Sequence, residues 1–457
     1  MKLYSSNDNY KLYQGNMLDL LEVIDKETID AVLTDPPYEL NFMSKGWDNA
    51  GISFQTDTWK KCYEVLKPGS YLLAFGGSRT FHRIACAIED AGFEIRDTIM
   101  WLYGSGFPKS MDISKSLDKK MGFQGKKIGE RTFGKTSTGQ NSGWNNNNIA
   151  MTGKQDVFAP ATDLAKQWEG WGTALKPSFE PIIVARKPFK GNLVDNVIEN
   201  GVGGINIDEC RVGNEERQNQ QAGFIRRGRT DEEVFLGTDK NRPKGTLTVN
   251  GRFPANTILT YDETDFDEVC GGFPNTKSVR SNRGGATNKG ELCYSKFTDI
   301  EKYECGFNDS GSASRYFYNA KASKKDRDEG LDEFEEKRVG SLAGGDNQKE
   351  VLDDVSSRFR VIKRNIHPTV KPTSLMQYLV RLVTPNGGTI LDPFNGSGST
   401  GKAVMYENKE RNKNYKYIGI ELTEEYLPIS KARIEYVWKL AEEEKNEERQ
   451  LSIYDLQ

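Results

Sequence analysis

Short apolar runs alternate with helix-spaced stretches at both ends of the chain. Ile29 to Leu33 reads as a buried strand closed by Asp35-Pro36-Pro37, and Tyr71 to Phe75 as a second one ended by Gly76-Gly77. Phe93 to Trp101 is a third strand, with Pro181 to Ala185 as a partner. Between them, Thr58 to Leu66 and Arg79 to Ala91 carry helical spacing and stop at Pro68-Gly69 and Gly92. The alternation returns with a strand at Gly388 to Leu391, a helix from about Thr400 to Glu407 and a strand at Tyr417 to Ile420. A long charged helix, Glu424 to Lys445, presents Tyr426, Ile434, Val437, Trp438 and Ala441 on its apolar side. This order predicts an α/β fold with a largely parallel sheet.

Two stretches break the pattern. Residues 104–176 are rich in Gly, Ser, Asn and Lys and read as a long loop excursion. Residues 190–360 lose the alternation altogether. The expected organisation is therefore one half of an α/β domain over 1–189, an inserted region over 190–360, the second half over 361–447, and a C-terminal tail over 448–457.

Composition narrows the chemistry. With 36% hydrophobic and 11% aromatic residues in 457, the chain can bury a core. Its longest apolar run, Tyr71 to Phe75, is strand-sized, so no membrane segment is expected. The first twenty residues lack an apolar signal region, and a soluble, cytoplasmic protein is the expectation. Six cysteines without a C-x-x-C pair, and His82 and His367 as the only histidines, leave little material for a zinc site, a disulfide framework or a histidine-based triad. Net charge is −3, but it is unevenly spread. Residues 422–457 carry five Lys/Arg and nine Asp/Glu, whereas residues 271–327 carry eleven against six. A local basic surface on an acidic protein is the form a nucleic-acid contact would take.

Thr389 to Ala403, T-I-L-D-P-F-N-G-S-G-S-T-G-K-A, places a glycine-rich turn between a strand and a helix. Glycines allow close backbone approach to a ligand at a helix N-terminus. Glu421 ends the next strand, where an acid can accept hydrogen bonds from ribose hydroxyls. With Asp392 and Phe394, these residues point to an adenosine-bearing ligand. Gly396 to Lys402 also fits the first seven positions of a P-loop, but the eighth, a Ser or Thr that holds magnesium, is Ala403. A nucleotide-binding P-loop is the rival reading, and a glycine turn without a ligand is the bland one.

Asp35-Pro36-Pro37-Tyr38 follows a buried strand at its carboxyl end, where α/β sheets bind ligands. The prolines cannot donate hydrogen bonds, so the local carbonyls are available as acceptors. An aspartate and a proline carbonyl can receive an amino group, and Tyr38 offers a flat face to a planar ring.

Together these motifs resemble the DNA amino-methyltransferases that use S-adenosylmethionine and modify adenine at N6 or cytosine at N4. The catalytic motif [DNS]-P-P-[YFW] is matched by Asp35 to Tyr38, and the cofactor motif F-x-G-x-G by Phe394 to Gly398. The H-P-T-x-K-P element is matched by His367 to Pro372. The order, catalytic before cofactor motif with target recognition between, is that of the β class. The resemblance implies a Rossmann-like methyltransferase sheet, with residues 190–360 as the target-recognition region.

It also implies specific roles. Asp35, Pro36, Pro37 and Tyr38 would be catalytic, with Asp35 and the Pro36 carbonyl receiving the target amine. Asn16, Thr369, Lys371, Asp392, Phe394, Gly396, Gly398 and Glu421 would hold the cofactor. Asn16 stands where the family usually has aspartate. The resemblance implies a target base flipped out of double-stranded DNA onto Tyr38. None of the six cysteines follows a proline, which argues against cytosine-C5 chemistry. Aspartate at the first motif position favours adenine, with cytosine-N4 as the alternative. Arg226, Arg227, Arg229, Lys277, Arg280 and Arg283 are candidates for DNA contact. Phe42 and Trp47 could line the base pocket. Gln450-Leu451-Ser452-Ile453-Tyr454 resembles the short peptides by which bacterial proteins bind the replication sliding clamp, with Tyr454 where Phe is usual.

Overall fold

The computed structural model describes residues 2–40, 51–103, 110–133, 153–220, 246–261, 273–277, 281–283, 303–305, 310–320, 325–340 and 360–454. Ten strands form one sheet: β1 (Lys2–Ser6), β2 (Tyr10–Gln14), β3 (Ile29–Thr34), β4 (Leu66–Phe75), β5 (Glu94–Tyr103), β6 (Phe179–Arg186), β7 (Thr257–Thr260), β8 (Tyr318–Asn319), β9 (Thr389–Asp392) and β10 (Lys416–Glu421). Their spatial order is β1-β2-β10-β9-β3-β4-β6-β5-β7-β8. The run β2-β10-β9-β3-β4 is parallel, and β6 is antiparallel to both β4 and β5.

Burial explains why the central strands read as continuous apolar runs. Ala31 and Leu33 of β3, with Tyr71, Leu73 and Phe75 of β4, join one core; Val32, Leu72 and Ala74 join the other. The first core packs under α4 (Thr373–Val383), α5 (Ser399–Arg411) and α6 (Leu427–Tyr454). The second packs under α1 (Met17–Leu21), α2 (Thr56–Val65) and α3 (Phe81–Asp90). A sheet covered on both faces has no polar side to show, so strand alternation disappears from the sequence. The expected strands and helices of both ends are present, with limits that differ by at most five residues except at the end of the last helix.

Three expectations need correction. The 104–176 stretch is more than a loop. It holds a helix (Ile113–Met121) capped by Asp112, a hairpin of Lys127–Phe133 with Gly153–Phe158, and a short helix (Asp163–Gln167). Its internal fastening is polar. The Asp118 carboxylate accepts from the Ala161 N–H at 2.7 Å, the Thr162 N–H at 3.1 Å and the Thr162 hydroxyl at 2.8 Å. Ile113, Leu117 and Met121 keep helical spacing, but the first two are only half-buried and Met121 is exposed.

The last helix does not stop at Lys445. α6 runs unbroken to Tyr454, because its Glu- and Lys-rich stretch propagates helix at little cost per residue. The backbone of Gln450 to Tyr454 is therefore helical. The third correction concerns residues 190–360, which contribute β7 and β8 to the main sheet: β7 pairs in parallel with β5, and β8 with β7.

Candidate active site

Parallel pairing brings four strand ends to one edge. Gln14 lies beside Glu421, Asp392 beside Gly419, and Thr34 beside Ala74. The catalytic motif leaves β3 there, the glycine turn leaves β9, and Asn16 and Glu421 stand at the ends of β2 and β10. This is the crevice where an open α/β sheet receives its ligand.

The glycine turn is fastened from several sides. Asp392, buried, accepts from the hydroxyls of Thr34 and Thr400 at 2.7 Å each and from the Phe394 N–H at 3.1 Å. Burial pushes its carboxyl up to about 6 against these bonds. Glu421 accepts from the Gly396 N–H and the Thr423 N–H at 2.7 Å each, and burial pushes it up to about 7. Gly396 and Gly398 have φ of 51° and 73°, conformations that favour glycine. A Cβ at Gly396 would come within 2.9 Å of His367 Nε2, and one at Gly398 within 2.8 Å of Ser430 Cβ and 3.0 Å of its Cα. The Gly398 constraint therefore comes from α6 packing on α5. Phe394 is half-buried against the core. Asn16 uses its side-chain oxygen to cap α1, accepting from the Leu18 N–H at 3.0 Å.

Arg433 was not foreseen. It is fully buried in α6, and its Nη1 donates to the Ser397 carbonyl at 2.5 Å and the Ser397 hydroxyl at 2.9 Å. Its Nη2 donates to the Asp326 carbonyl at 2.6 Å. The same short segment reaches further. Arg327 donates to the His367 carbonyl at 3.0 Å and the Pro368 carbonyl at 3.4 Å, and Glu329 pairs with Lys402 at 2.7 Å. Residues 326–329 thus touch both the glycine turn and the H-P-T-V-K-P loop. A lone charged residue amid an apolar helix face, as Arg433 is, was the available signal.

Lys402 also decides the P-loop question. A P-loop lysine must face phosphate, yet this side chain has no exposed surface and its ammonium meets Glu329. Burial, followed by the Arg433 charge, lowers its pKa. The nucleotide-binding rival is thereby removed.

The catalytic motif is built differently. The Lys371 ammonium lies 2.7 Å from Asp35 Oδ2 and 3.3 Å from Glu180 Oε2, and donates to the Tyr38 hydroxyl at 3.2 Å. The rings of Phe75, Tyr38 and Trp101 surround it, with centroids 4.9, 5.4 and 6.0 Å away. Burial would lower the Lys371 pKa, but Asp35 and Glu180 more than offset it and hold it above its ordinary value. Tyr38, half-buried, donates its hydroxyl to Glu180 Oε2 at 2.8 Å, and burial with both carboxylates nearby raises its pKa well above the usual phenol. Asp35 Oδ1 is buried without a hydrogen-bond partner.

The Lys371 ammonium, assigned to the cofactor by resemblance, thus sits at Asp35. Of Thr369, the carbonyl accepts from His367 Nδ1. Burial lowers His367 to about 4 and keeps it neutral. The Pro37 carbonyl receives the Ser53 hydroxyl at 2.7 Å. Glu180 was missed; its only signal was an acid just ahead of the apolar run of β6. Lys277 and Arg283 lie on short strands, Asn275–Lys277 and Ser281–Arg283. Arg226, Arg227, Arg229, Arg280, Phe42 and Trp47 lie outside the described residues.

A doubly covered, mostly parallel sheet with an acid-proline-proline-tyrosine exit and a neighbouring glycine turn defines an α/β protein suited to bring an amine and an adenosine-bearing ligand together. A family model described as DNA methylase matches residues 29–432, so the chain belongs to the N6/N4 DNA methylase family. This family takes its methyl group from S-adenosylmethionine. The chain is 27% identical over 237 residues to the type II methyltransferase M.HindIII of Haemophilus influenzae, covering 43% of this chain and 64% of that protein. It is 29% identical over 114 residues to M.HpaI of Haemophilus parainfluenzae, covering 24% and 36% respectively. It thus spans less than two thirds of either relative's length. Among solved structures, the PvuII DNA methyltransferase (cytosine-N4-specific) aligns with a TM-score of 0.36 at 12% identity, covering 95% of this chain and 92% of that one. M1.HpyAVI aligns at 0.35 and 13%, covering 93% and 98%.

Proposed function

We propose that this protein is a site-specific DNA adenine-N6 methyltransferase that uses S-adenosylmethionine. The observation that carries the reading is the unpartnered buried Asp35 Oδ1 beside the glycine turn, in a site whose other carboxylates are hydrogen-bonded. An acceptor in that state suits an amino group. The residues of the crevice fit the donor: Gly396 and Gly398 keep the turn low, Glu421 stands at the strand end for ribose hydroxyls, and Asn16, Asp392, Phe394 and Thr369 complete the surround. When bound, S-adenosylmethionine supplies an activated methyl group, so the protein's task is geometry.

Asp35 Oδ1 and the Pro36 carbonyl receive the amine's N–H groups, which favours a nitrogen carrying its lone pair towards the methyl. Tyr38 lies under the flipped base, and Pro37 stiffens the turn. The nitrogen's surplus proton leaves through Asp35. Residues 190–360 carry target recognition, with Arg226, Arg227, Arg229, Lys277, Arg280 and Arg283 contacting DNA. Long-read sequencing of DNA from cells expressing the protein tests the reading: N6-methyladenine at one motif is expected, N4-methylcytosine would move the specificity to the alternative, and unmodified DNA would overturn it.

Among the described residues no helix is long and apolar enough to cross a membrane; a cytoplasmic site of action suits a DNA substrate. Gln450 to Tyr454 also forms part of the proposal as a sliding-clamp ligand. Because this segment continues α6, clamp binding would unwind the last turn. Equal retention on purified clamp of the full chain and a chain truncated after Arg449 would remove this partner.

A further inference from the structure

We propose that Glu180 is a positioning residue for methyl transfer, providing a second seat to which the Lys371 ammonium moves when the target amine reaches Asp35. The inference rests on the function proposed above. Its physical basis is that one ammonium serves two carboxylates. Lys371 is 2.7 Å from Asp35 and 3.3 Å from Glu180, so a 0.6 Å difference separates its two partners. Both Glu180 oxygens are already oriented: the Tyr38 hydroxyl donates to Oε2 at 2.8 Å and the Tyr103 hydroxyl to Oε1 at 3.4 Å. The seat is therefore in place before the ammonium arrives.

The need for it follows from charge. With both carboxylates ionised and Lys371 protonated, the cluster carries one net negative charge. While Lys371 holds Asp35 Oδ2, Oδ1 can receive an N–H of the amine, but the ion-paired carboxylate is a weak base for the proton the amine must lose. Moving the ammonium to Glu180 frees Asp35. Without Glu180, an ammonium that left Asp35 would keep, among the described residues, the aromatic rings of Phe75, Tyr38 and Trp101 and the Tyr38 hydroxyl, and a buried charge left unpaired is costly. It would stay on Asp35. The step balances: the nitrogen's lone pair forms the new N–C bond as the donor's S–CH3 bond would break, its electron pair staying on sulfur as a neutral thioether; the nitrogen gives one proton to Asp35, and the ammonium keeps all of its protons and changes partner. Tyr38 couples the two ends, since its hydroxyl touches both Glu180 and Lys371.

The test uses the full-length protein, duplex DNA carrying its motif and radiolabelled S-adenosylmethionine, with wild type, Glu180→Gln and Glu180→Asp compared. Glu180→Gln is expected to lower kcat at least tenfold while KM for S-adenosylmethionine stays within twofold. Glu180→Asp should recover part of the loss, because it keeps the charge. An unchanged kcat in Glu180→Gln would overturn the proposal. So would parallel losses of kcat, cofactor affinity and Tm that Glu180→Asp fails to relieve, which would mark a purely structural carboxylate. Wild type that methylates neither adenine nor cytosine would instead overturn the function on which the proposal rests.

Discussion

In the turn after β9, the Asp392 and Glu421 carboxylates accept hydrogen bonds on both oxygens from the turn itself or its neighbours, and both glycines are pinned by close approach. In the turn after β3, Asp35 keeps one oxygen without a partner and shares the Lys371 ammonium with Glu180. The two turns leave the same sheet edge side by side, yet one is closed and the other has spare acceptor capacity. A saturated turn gives shape to a site. An unsaturated buried carboxylate, costly to maintain in a stable fold, marks where a reacting group is received.

The sharpest way to break this comparison is Asp35→Ala. Methyl transfer should fall by about a hundredfold or more, with S-adenosylmethionine affinity by calorimetry and Tm little changed. Equal losses in all three would make Asp35 another structural carboxylate. Gly398→Ala should do the opposite. An added Cβ meets the α6 backbone in a left-handed conformation, so stability should drop by about 3 kcal/mol, read as a fall in the denaturant midpoint. A stable Gly398→Ala protein that had merely lost its cofactor would contradict the closed-turn description.

Replacing Lys277, Arg280 and Arg283 together by Gln bears on the proposed DNA contact instead. DNA affinity should weaken and the log–log salt slope should shrink by about 2 to 3, with S-adenosylmethionine binding unaltered; an unchanged slope would place the three residues away from phosphate. The smallest effect concerns pH. Glu421 and Asp392 titrate in the folded protein at about 7 and about 6, above their ordinary values of 4.5 and 3.8. Their contribution is therefore full below about pH 4 and is lost as pH rises through 6 to 7. Glu421→Gln removes one such group, so its stability relative to wild type should climb between pH 5 and 8, by up to about 1.4 kcal/mol per unit. A pH-independent difference would show that the carboxylate is not held up by burial.

What the sequence revealed tracks how local each feature is. Asp35 to Tyr38 and Phe394 to Gly398 are contiguous, and their backbone constraints, two prolines in one and glycines in the other, are written in neighbouring letters. Glu421 was legible because it ends a strand. Lys371 was visible as a motif residue, but its Asp35 partner lies 336 positions away, and only the pairing of β3 with β9 brings the loop across. Glu180 and Arg433 each left only a faint local trace, a charge at the edge of an apolar strand or amid an apolar helix face; what they bond to is entirely tertiary. The 104–176 stretch was misread for another reason: Ile113, Leu117 and Met121 do carry helical spacing, but over three positions amid Gly, Ser, Asn and Lys, and the hydrogen bonds of Asp118 that fasten the stretch leave no trace in periodicity.

The short segment of residues 326–329 bears on how new specificities could be made. Were residues 190–360 exchanged as one cassette, Arg433 would lose the Asp326 carbonyl, the His367–Pro368 loop would lose Arg327, and Lys402 would be left buried without Glu329. A graft ending before Lys325 keeps all three. If residues 190–360 carry target recognition, as proposed, the seam for domain shuffling falls some thirty-five residues inside the compositional boundary, and a graft that respects it leaves these three contacts with the second half of the fold.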